Sequence, residues 1–228
     1  MTATSGAALS EMHRRAKLAV LYDEIYEHYS ARDAKLVRRR LVLEALQSRV
    51  MLIGQALGRD TQRLSGIPYY PPPAETSTLS RGGRELDKFL AGFGYTIQLG
   101  GAGQYTYHTD LAHYFPERKA GGTGDRPPTA EEIALNWPWL EREIQLLQPV
   151  VVVTLGLEAS RYFLQRYTGR RIQRLTDVAG TPESCHVLGR QVEMIAVHHP
   201  SGAFQHPTSK EVYRRAVEHV RRSLALIR

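Results

Sequence analysis

A chain of 228 residues, 42% of them hydrophobic and 23% charged, is long enough to form one domain with a substantial core. Its formal net charge of +7 favours a polyanionic partner such as nucleic acid. The apolar runs are too short to span a membrane, and the N-terminus lacks the pattern of a signal peptide. The single cysteine, Cys185, excludes an intramolecular disulfide and a cysteine-rich metal site. We therefore expect a cytoplasmic protein with no membrane partner, metal or other cofactor.

The spacing of apolar residues predicts an α/β fold. An N-terminal extension at about 1–48 is expected to be mostly helical, with a break near 30–33. Apolar runs predict strands over 50–53, 105–111, 150–155 and 191–197. Helices are expected over 83–93, 129–147, 158–167 and 209–226, and long loops over 59–83 and 116–128. This alternation predicts a single domain over 1–228, a three-layer α/β/α sandwich with a central, mostly parallel sheet.

Polar segments follow two of the predicted strands. Gly54-Gln55-Ala56-Leu57-Gly58 follows the first strand, and His199-Pro200-Ser201-Gly202 follows the last. Ligands of open α/β sheets bind beyond the carboxyl ends of the strands. We therefore expect the two segments to form one site.

Two further motifs lie between these segments, Gly66-Ile67-Pro68-Tyr69 and Thr109-Asp110-Leu111. Taken in order over roughly residues 50–225, the series resembles the uracil-DNA glycosylase superfamily, and most closely its iron–sulfur branch, family 4. The resemblance implies a DNA glycosylase of base excision repair. A monofunctional enzyme is expected, because no lysine stands in any of the motifs to form a Schiff base. Such an enzyme flips a uracil or another damaged or modified base out of single- or double-stranded DNA and hydrolyses its N-glycosidic bond, which leaves an abasic site.

The chain departs from that branch at three places. The cysteines that bind the cluster are missing, Asn136 lies near one of their positions, and no iron–sulfur cluster is expected. Gln55 replaces a glutamate, and the aspartate that orients water in the main uracil glycosylases falls on Ala56. Asp110 replaces the asparagine that pairs with uracil.

The resemblance also implies roles for individual residues. His199 would donate a hydrogen bond to the departing base, and Tyr69 would stack on that base, with Tyr70 as the competing aromatic. Gln55 and the backbone at Ala56 and Leu57 would line the pocket.

Asp110 leaves several interpretations open. An ionised carboxylate only accepts hydrogen bonds and would repel O4 of uracil, whereas a protonated one can donate to N3 of cytosine and accept from its amine. Burial would favour the protonated form. The pocket would then prefer cytosine-like or modified bases, such as those of phage DNA. Alternatively, Asp110 turns away, or it activates water in place of Ala56, a role for which Asp60 is a second candidate.

DNA contacts are expected from Ser201, the backbone near Gly202 and Arg59. Phe204 would wedge into the gap left by the flipped base or return to the core. Two other functional classes remain open at this point. One is a non-catalytic DNA-binding member of the same superfamily, and the other, less favoured, is a nucleotide-binding protein.

Overall fold

The computed structural model describes residues 10–58, 61–74, 77–116, 126–201 and 208–226. The helices are α1 (Glu11–Ser30), α2 (Gln62–Ser65), α3 (Arg81–Ala91), α4 (Ala130–Leu147), α5 (Leu157–Thr168) and α6 (Ser209–Ala225). The strands are β1 (Val50–Ala56), β2 (Tyr95–Thr96), β3 (Gln104–Tyr105), β4 (Tyr107–Ala112), β5 (Val151–Leu155), β6 (Pro182–Val187) and β7 (Arg190–Val197). Short 3-10 helices cover Leu43–Gln47 and Leu175–Asp177.

The central sheet has the strand order β4-β1-β5-β7-β6. Its first four strands run parallel, and β6 pairs antiparallel with β7. β2 and β3 form a separate small pair. The predicted fold class, a three-layer α/β/α sandwich with a mostly parallel sheet, is confirmed.

Both faces of the sheet are covered, as expected for strands that are apolar throughout. On β1, Met51 and Ile53 pack in the cluster that contains α1, α4 and α5, whereas Val50 and Leu52 pack with α3 and α6. All four side chains are almost completely buried, and each stabilises the fold by about 1.5–3 kcal/mol relative to an exposed position. Among the described residues, no helix combines the length and apolar character needed to cross a membrane.

The start of α4 follows from its sequence. Thr129 caps the helix, and its hydroxyl and the Glu132 carboxylate form a reciprocal capping box. Pro138 lies within the helix without ending it. The predicted helix over 129–147 is therefore confirmed almost to the residue.

The N-terminal extension differs from the prediction after its first helix. Residues 31–42 are irregular, and only the short 3-10 helix Leu43–Gln47 follows. Backbone bonds to the turn around α2 hold this segment: Val37 N donates to Arg63 O, and Arg40 N donates to Gly66 O. Tertiary partners thus replace the hydrogen bonds of the expected second helix.

Two strands also differ from the prediction. β1 continues through Gly54 to Ala56, because its neighbour β4 keeps pairing beyond that glycine. The hairpin of β6 and β7 was not predicted for its first strand, whose exposed Ser184 and His186 dilute the apolar pattern.

Candidate active site

Asp110 lies on the edge strand β4, directly beside Gly54 of β1. The residue is 2% exposed, and its side chain covers Gly54 so closely that a Cβ there would lie 2.3 Å from Asp110 Oδ1. His108, two residues earlier and on the same face, places Nε2 at 3.9 Å from the same oxygen. Glycine at position 54 is therefore what makes room for the carboxyl group.

The environment shifts the protonation of both side chains. Burial, with a smaller contribution from the Glu143 carboxylate, raises the pKa of Asp110 to about 7 against the opposing charge of Arg39. Burial lowers the pKa of His108 to about 3, so this imidazole is neutral near pH 7. Asp110 Oδ2 is buried and has no hydrogen-bond partner among the described residues. Asp110 is thus a buried carboxyl group that exchanges between acid and carboxylate around neutral pH.

Tyr69 borders this carboxyl group from the loop that follows α2. It has a φ of 65°, rare for a residue with a side chain, and its ring meets His108 edge-on at 5.3 Å between centroids. Burial and the charge of Asp110 raise its pKa. Tyr70, in contrast, is 3% exposed in the core, where its hydroxyl accepts from Leu99 N at 2.8 Å. Of the two candidate aromatics, Tyr69 is the one beside Asp110.

His199 follows β7, at the same carboxyl edge of the sheet as Asp110. The Ser201 hydroxyl lies 2.7 Å from His199 Nδ1, and Ser201 N donates to that nitrogen at 3.3 Å. Since Nδ1 accepts from the backbone, the proton of the neutral ring resides on Nε2. The ring reaches solvent, yet desolvation by the surrounding protein lowers its pKa and favours the neutral form.

These elements lie close together. His199 is close enough to His108 to help lower the pKa of that imidazole, and Ser201 N lies 3.5 Å from the position that a Cβ on Gly82 would occupy, at the start of α3. The next residue of α3, Gly83, would place a Cβ 2.7 Å from Tyr69 Cβ. The structure therefore brings Tyr69, Asp110 and His199 to one edge of the sheet. A cavity of about 620 Å³ lies elsewhere, between α1 and α4, and is lined by Tyr29, Tyr114 and Asn136 rather than by these three residues.

The residues of the first motif divide between the two faces of β1. By strand alternation, Ala56 belongs to the face of Gly54 and Asp110, whereas Gln55 belongs to that of Ile53 and Leu57. Gln55 is half-buried, and Leu57 packs in the core. A contact of Gln55 or of the Ala56 and Leu57 backbone with a base stays a prediction.

Several predicted residues lie outside the part of the chain that the structure describes. They are Arg59, Asp60, Gly202 and Phe204, and their roles stay predictions. Ser201 lies within the described part of the chain, and its hydroxyl contacts His199 Nδ1. His198, in contrast, is buried, and its carbonyl accepts from the Tyr213 hydroxyl at 3.0 Å.

A buried polar cluster behind Asp110 escaped the sequence analysis. It consists of Arg39, Tyr107, Thr109, His113 and Glu143. The available signal was Glu143 itself, since a carboxylate at that place in the apolar stripe of α4 must find a buried partner.

The donor atoms near Asn136 do not fit an iron–sulfur cluster. Asn136 Oδ1 accepts from His113 N at 2.9 Å, and its amide donates to Glu132 O at 2.8 Å, so its side chain joins α4 to the end of β4. Cys185 is buried on β6, where burial raises the pKa of its thiol. A single buried thiol cannot supply the several thiolates that such clusters need.

Gly54→Ala tests the close approach of Asp110. We expect it to lower the free energy of unfolding by about 1–3 kcal/mol, because the added methyl group must displace the carboxyl group. Gly82→Ala is the control, since its Cβ meets its nearest atom at an ordinary 3.5 Å. Chemical denaturation measures the free energy of unfolding of both variants. If Gly54→Ala were as stable as Gly82→Ala, Asp110 would not fill the space above Gly54.

Comparison with known proteins agrees with this geometry. Residues 42–221 match the family model described as the uracil DNA glycosylase superfamily. The type-4 uracil-DNA glycosylase of Archaeoglobus fulgidus is 24% identical over 167 residues, which are 73% of this chain and 72% of that protein. The type-4 uracil-DNA glycosylase of Pyrobaculum aerophilum is 31% identical over 83 residues, 36% of this chain, and the match spans 42% of that relative.

Proposed function

Because the chain belongs to the uracil-DNA glycosylase superfamily, we propose that it hydrolyses the N-glycosidic bond of a base in DNA and leaves an abasic site. The observation that carries this proposal is the neutral His199, whose Nδ1 is held by Ser201 and whose Nε2 keeps a proton to donate. Its position at the carboxyl edge of the sheet, near His108 and thus near Asp110, supports a role at the reacting base.

The chemistry requires a donor at the base. As the glycosidic bond breaks, the sugar becomes positive and the departing base becomes negative. A hydrogen bond from His199 Nε2 to the base oxygen would stabilise that developing charge, by about 3 kcal/mol in comparable sites. A neutral imidazole suits this task because the hydrogen on Nε2 is still available as a hydrogen-bond donor. Tyr69, adjacent to His108, would offer its ring to the flipped base.

Asp110 would read the edge of that base. In its protonated form the carboxyl group has one donor and one acceptor, so it can match the O4 and N3–H of uracil. With the same two atoms it can match N3 and the amine of cytosine, which keeps a modified cytosine as the second candidate substrate. The carboxylate, which only accepts, would repel O4 of uracil. The pKa of about 7 supports this role, because a substantial fraction of Asp110 is then protonated near neutral pH.

The direction of the pH dependence separates this role from water activation. If Asp110 reads uracil as an acid, excision falls as pH rises through about 7, and Asp110→Asn keeps excision at higher pH because an amide always has a donor. If Asp110 activates water, excision rises over the same range and Asp110→Asn abolishes it. Single-turnover excision of uracil from a labelled oligonucleotide, followed by alkaline cleavage, measures both.

A panel of oligonucleotides tests the function itself. It contains uracil, thymine, cytosine and modified cytosines, each in single- and double-stranded DNA. We expect abasic sites at uracil, or at a modified cytosine if the second candidate holds. DNA binding without an abasic site on any substrate would favour the non-catalytic alternative, and binding of free nucleotides without DNA would favour a nucleotide-binding protein.

Contacts to DNA belong to the same proposal. The net charge of +7 supports binding to the phosphate backbone, for which Ser201, Gly202, Phe204 and Arg59 are the proposed contacts. We also propose that the chain is one domain, since α1 packs in the same core cluster as α4 and α5.

A further inference from the structure

Arg39 lies ahead of residues 42–221, the region that matches the family, and yet it reaches the strand that carries Asp110. Its guanidinium donates to the carbonyl oxygen of His108 and, at 3.3 Å, to the Thr109 hydroxyl. Both contacts are made to residues immediately before Asp110. Because β4 is an edge strand, its outer side has no neighbouring strand in the sheet to form hydrogen bonds with. Arg39 instead donates a hydrogen bond to the backbone of this strand.

Glu143 of α4 completes the arrangement from the helical layer. It is fully buried and accepts from Arg39 Nη1 at 2.7 Å and from the Tyr107 hydroxyl at 2.6 Å. Its second oxygen accepts from the Thr109 hydroxyl and lies 3.2 Å from His113 Nε2. Although burial alone would raise its pKa, the charges of Arg39 and His113 lower the pKa of Glu143 to about 2, so it is ionised.

The aromatic side chains around Arg39 hold it in one place. Its guanidinium carbon lies 4.7 Å from the ring centre of Tyr22 and 4.9 Å from that of Tyr107. The two hydroxyls of these tyrosines are 2.5 Å apart. An arginine between two rings and opposite a buried carboxylate has little freedom to move.

We propose that Arg39 and Glu143 are positioning residues that hold β4 from the far face of the sheet and, through their opposite charges, set the balance between the acid and carboxylate forms of Asp110. Thr109 belongs to their face of β4, whereas His108 and Asp110 point to the other. The proposal rests on the proposed function only for the use that Asp110 makes of that balance.

Four titratable groups influence Asp110. His108 on its own strand and Tyr69 from the loop after α2 lie on the same face, whereas Arg39 from the N-terminal segment and Glu143 from α4 act through their charges from the other face. His108 is neutral near pH 7, and burial raises the pKa of Tyr69 well above its ordinary value. Arg39 and Glu143 are therefore the charged groups of this set.

The experiment measures the titration of Asp110 directly, without enzyme activity. The side-chain carboxyl carbons of aspartate are labelled with ¹³C in the full chain, and Asp110→Asn assigns the signal. We expect the midpoint of Asp110 to move upward by about one pH unit in Arg39→Met and downward in Glu143→Gln. Arg142→Met is the matched control, since Arg142 neighbours Glu143 on α4 but pairs with Glu24 on the surface, and it should leave the midpoint unchanged.

Opposite shifts cannot come from a general loosening of the fold, because entry of water would lower the midpoint in both variants. Unchanged midpoints, or shifts of the same sign, would overturn the proposal. If Arg39→Met does not fold, the ring signals of His108 in Glu143→Gln decide the matter. Loss of the Glu143 charge leaves His108 neutral at least as far into the acid range, whereas entry of water moves its titration towards the ordinary pKa.

The outcome is independent of the proposed function. A protein that excises no base can still show both shifts, and an active enzyme can fail to show them. In an active enzyme, the pH dependence of excision should move in the same direction as the Asp110 midpoint in each variant.

Discussion

His199→Ala is expected to lower the rate constant of base excision by about 10²–10³-fold while DNA binding stays nearly unchanged. The reason is the neutral ring, since Ser201 occupies Nδ1 and leaves the Nε2 proton as a donor. Alanine removes that donor where negative charge develops on the departing base. Single-turnover excision measures the rate constant, and a fluorescence titration with the same oligonucleotide measures binding.

His186→Ala is the control for this variant, because His186 is an exposed histidine on β6, far along the sheet from β4. We expect it to keep the full rate. His199→Gln restores a donor amide and should recover part of the lost rate. If His199→Ala weakened DNA binding as strongly as it slowed excision, the histidine would serve in binding rather than at the departing base.

Glu143→Ala has the largest expected effect on stability, a loss of about 3–5 kcal/mol in the free energy of unfolding. The variant leaves the mostly buried guanidinium of Arg39 without its carboxylate, and it removes the carboxylate oxygens that accept from the hydroxyls of Tyr107 and Thr109. A buried polar group that loses its partner destabilises the folded state, because in the unfolded chain the same group is hydrogen-bonded to water. The shift of the urea midpoint, at an unchanged slope, gives the value.

Glu24→Ala provides the comparison, because Glu24 also forms an ion pair with an arginine, but both partners are about two-fifths exposed. An exposed pair contributes only about 0–1 kcal/mol. If Glu143→Ala cost no more than Glu24→Ala, the buried cluster would not hold β4, and the proposed role of Arg39 would lose its structural basis. Arg39→Met combined with Glu143→Leu should recover stability, since a matched apolar pair leaves no buried charge.

The local pattern of the sequence was enough for the fold class and for the order of the motifs. Continuous apolar runs such as Val151–Leu155 predicted buried parallel strands, and Thr129 with Glu132 predicted the start of α4. The ordered motifs around Gly54, Tyr69, Asp110 and His199 indicated the superfamily that the comparison shows. These features depend on neighbours in the chain, so the sequence alone contains them.

Only the tertiary structure decided which residues surround Asp110. Arg39 and Glu143 are 104 positions apart, and no local pattern predicts that they form an ion pair. Tyr69 lies beside Asp110, whereas Tyr70 is buried in the core and accepts a hydrogen bond from Leu99 N. The pKa of Asp110 near 7 arises from burial and from charges on two other segments. Desolvation and long-range pairing depend on the packed fold, and for that reason the sequence left the role of this carboxyl group open.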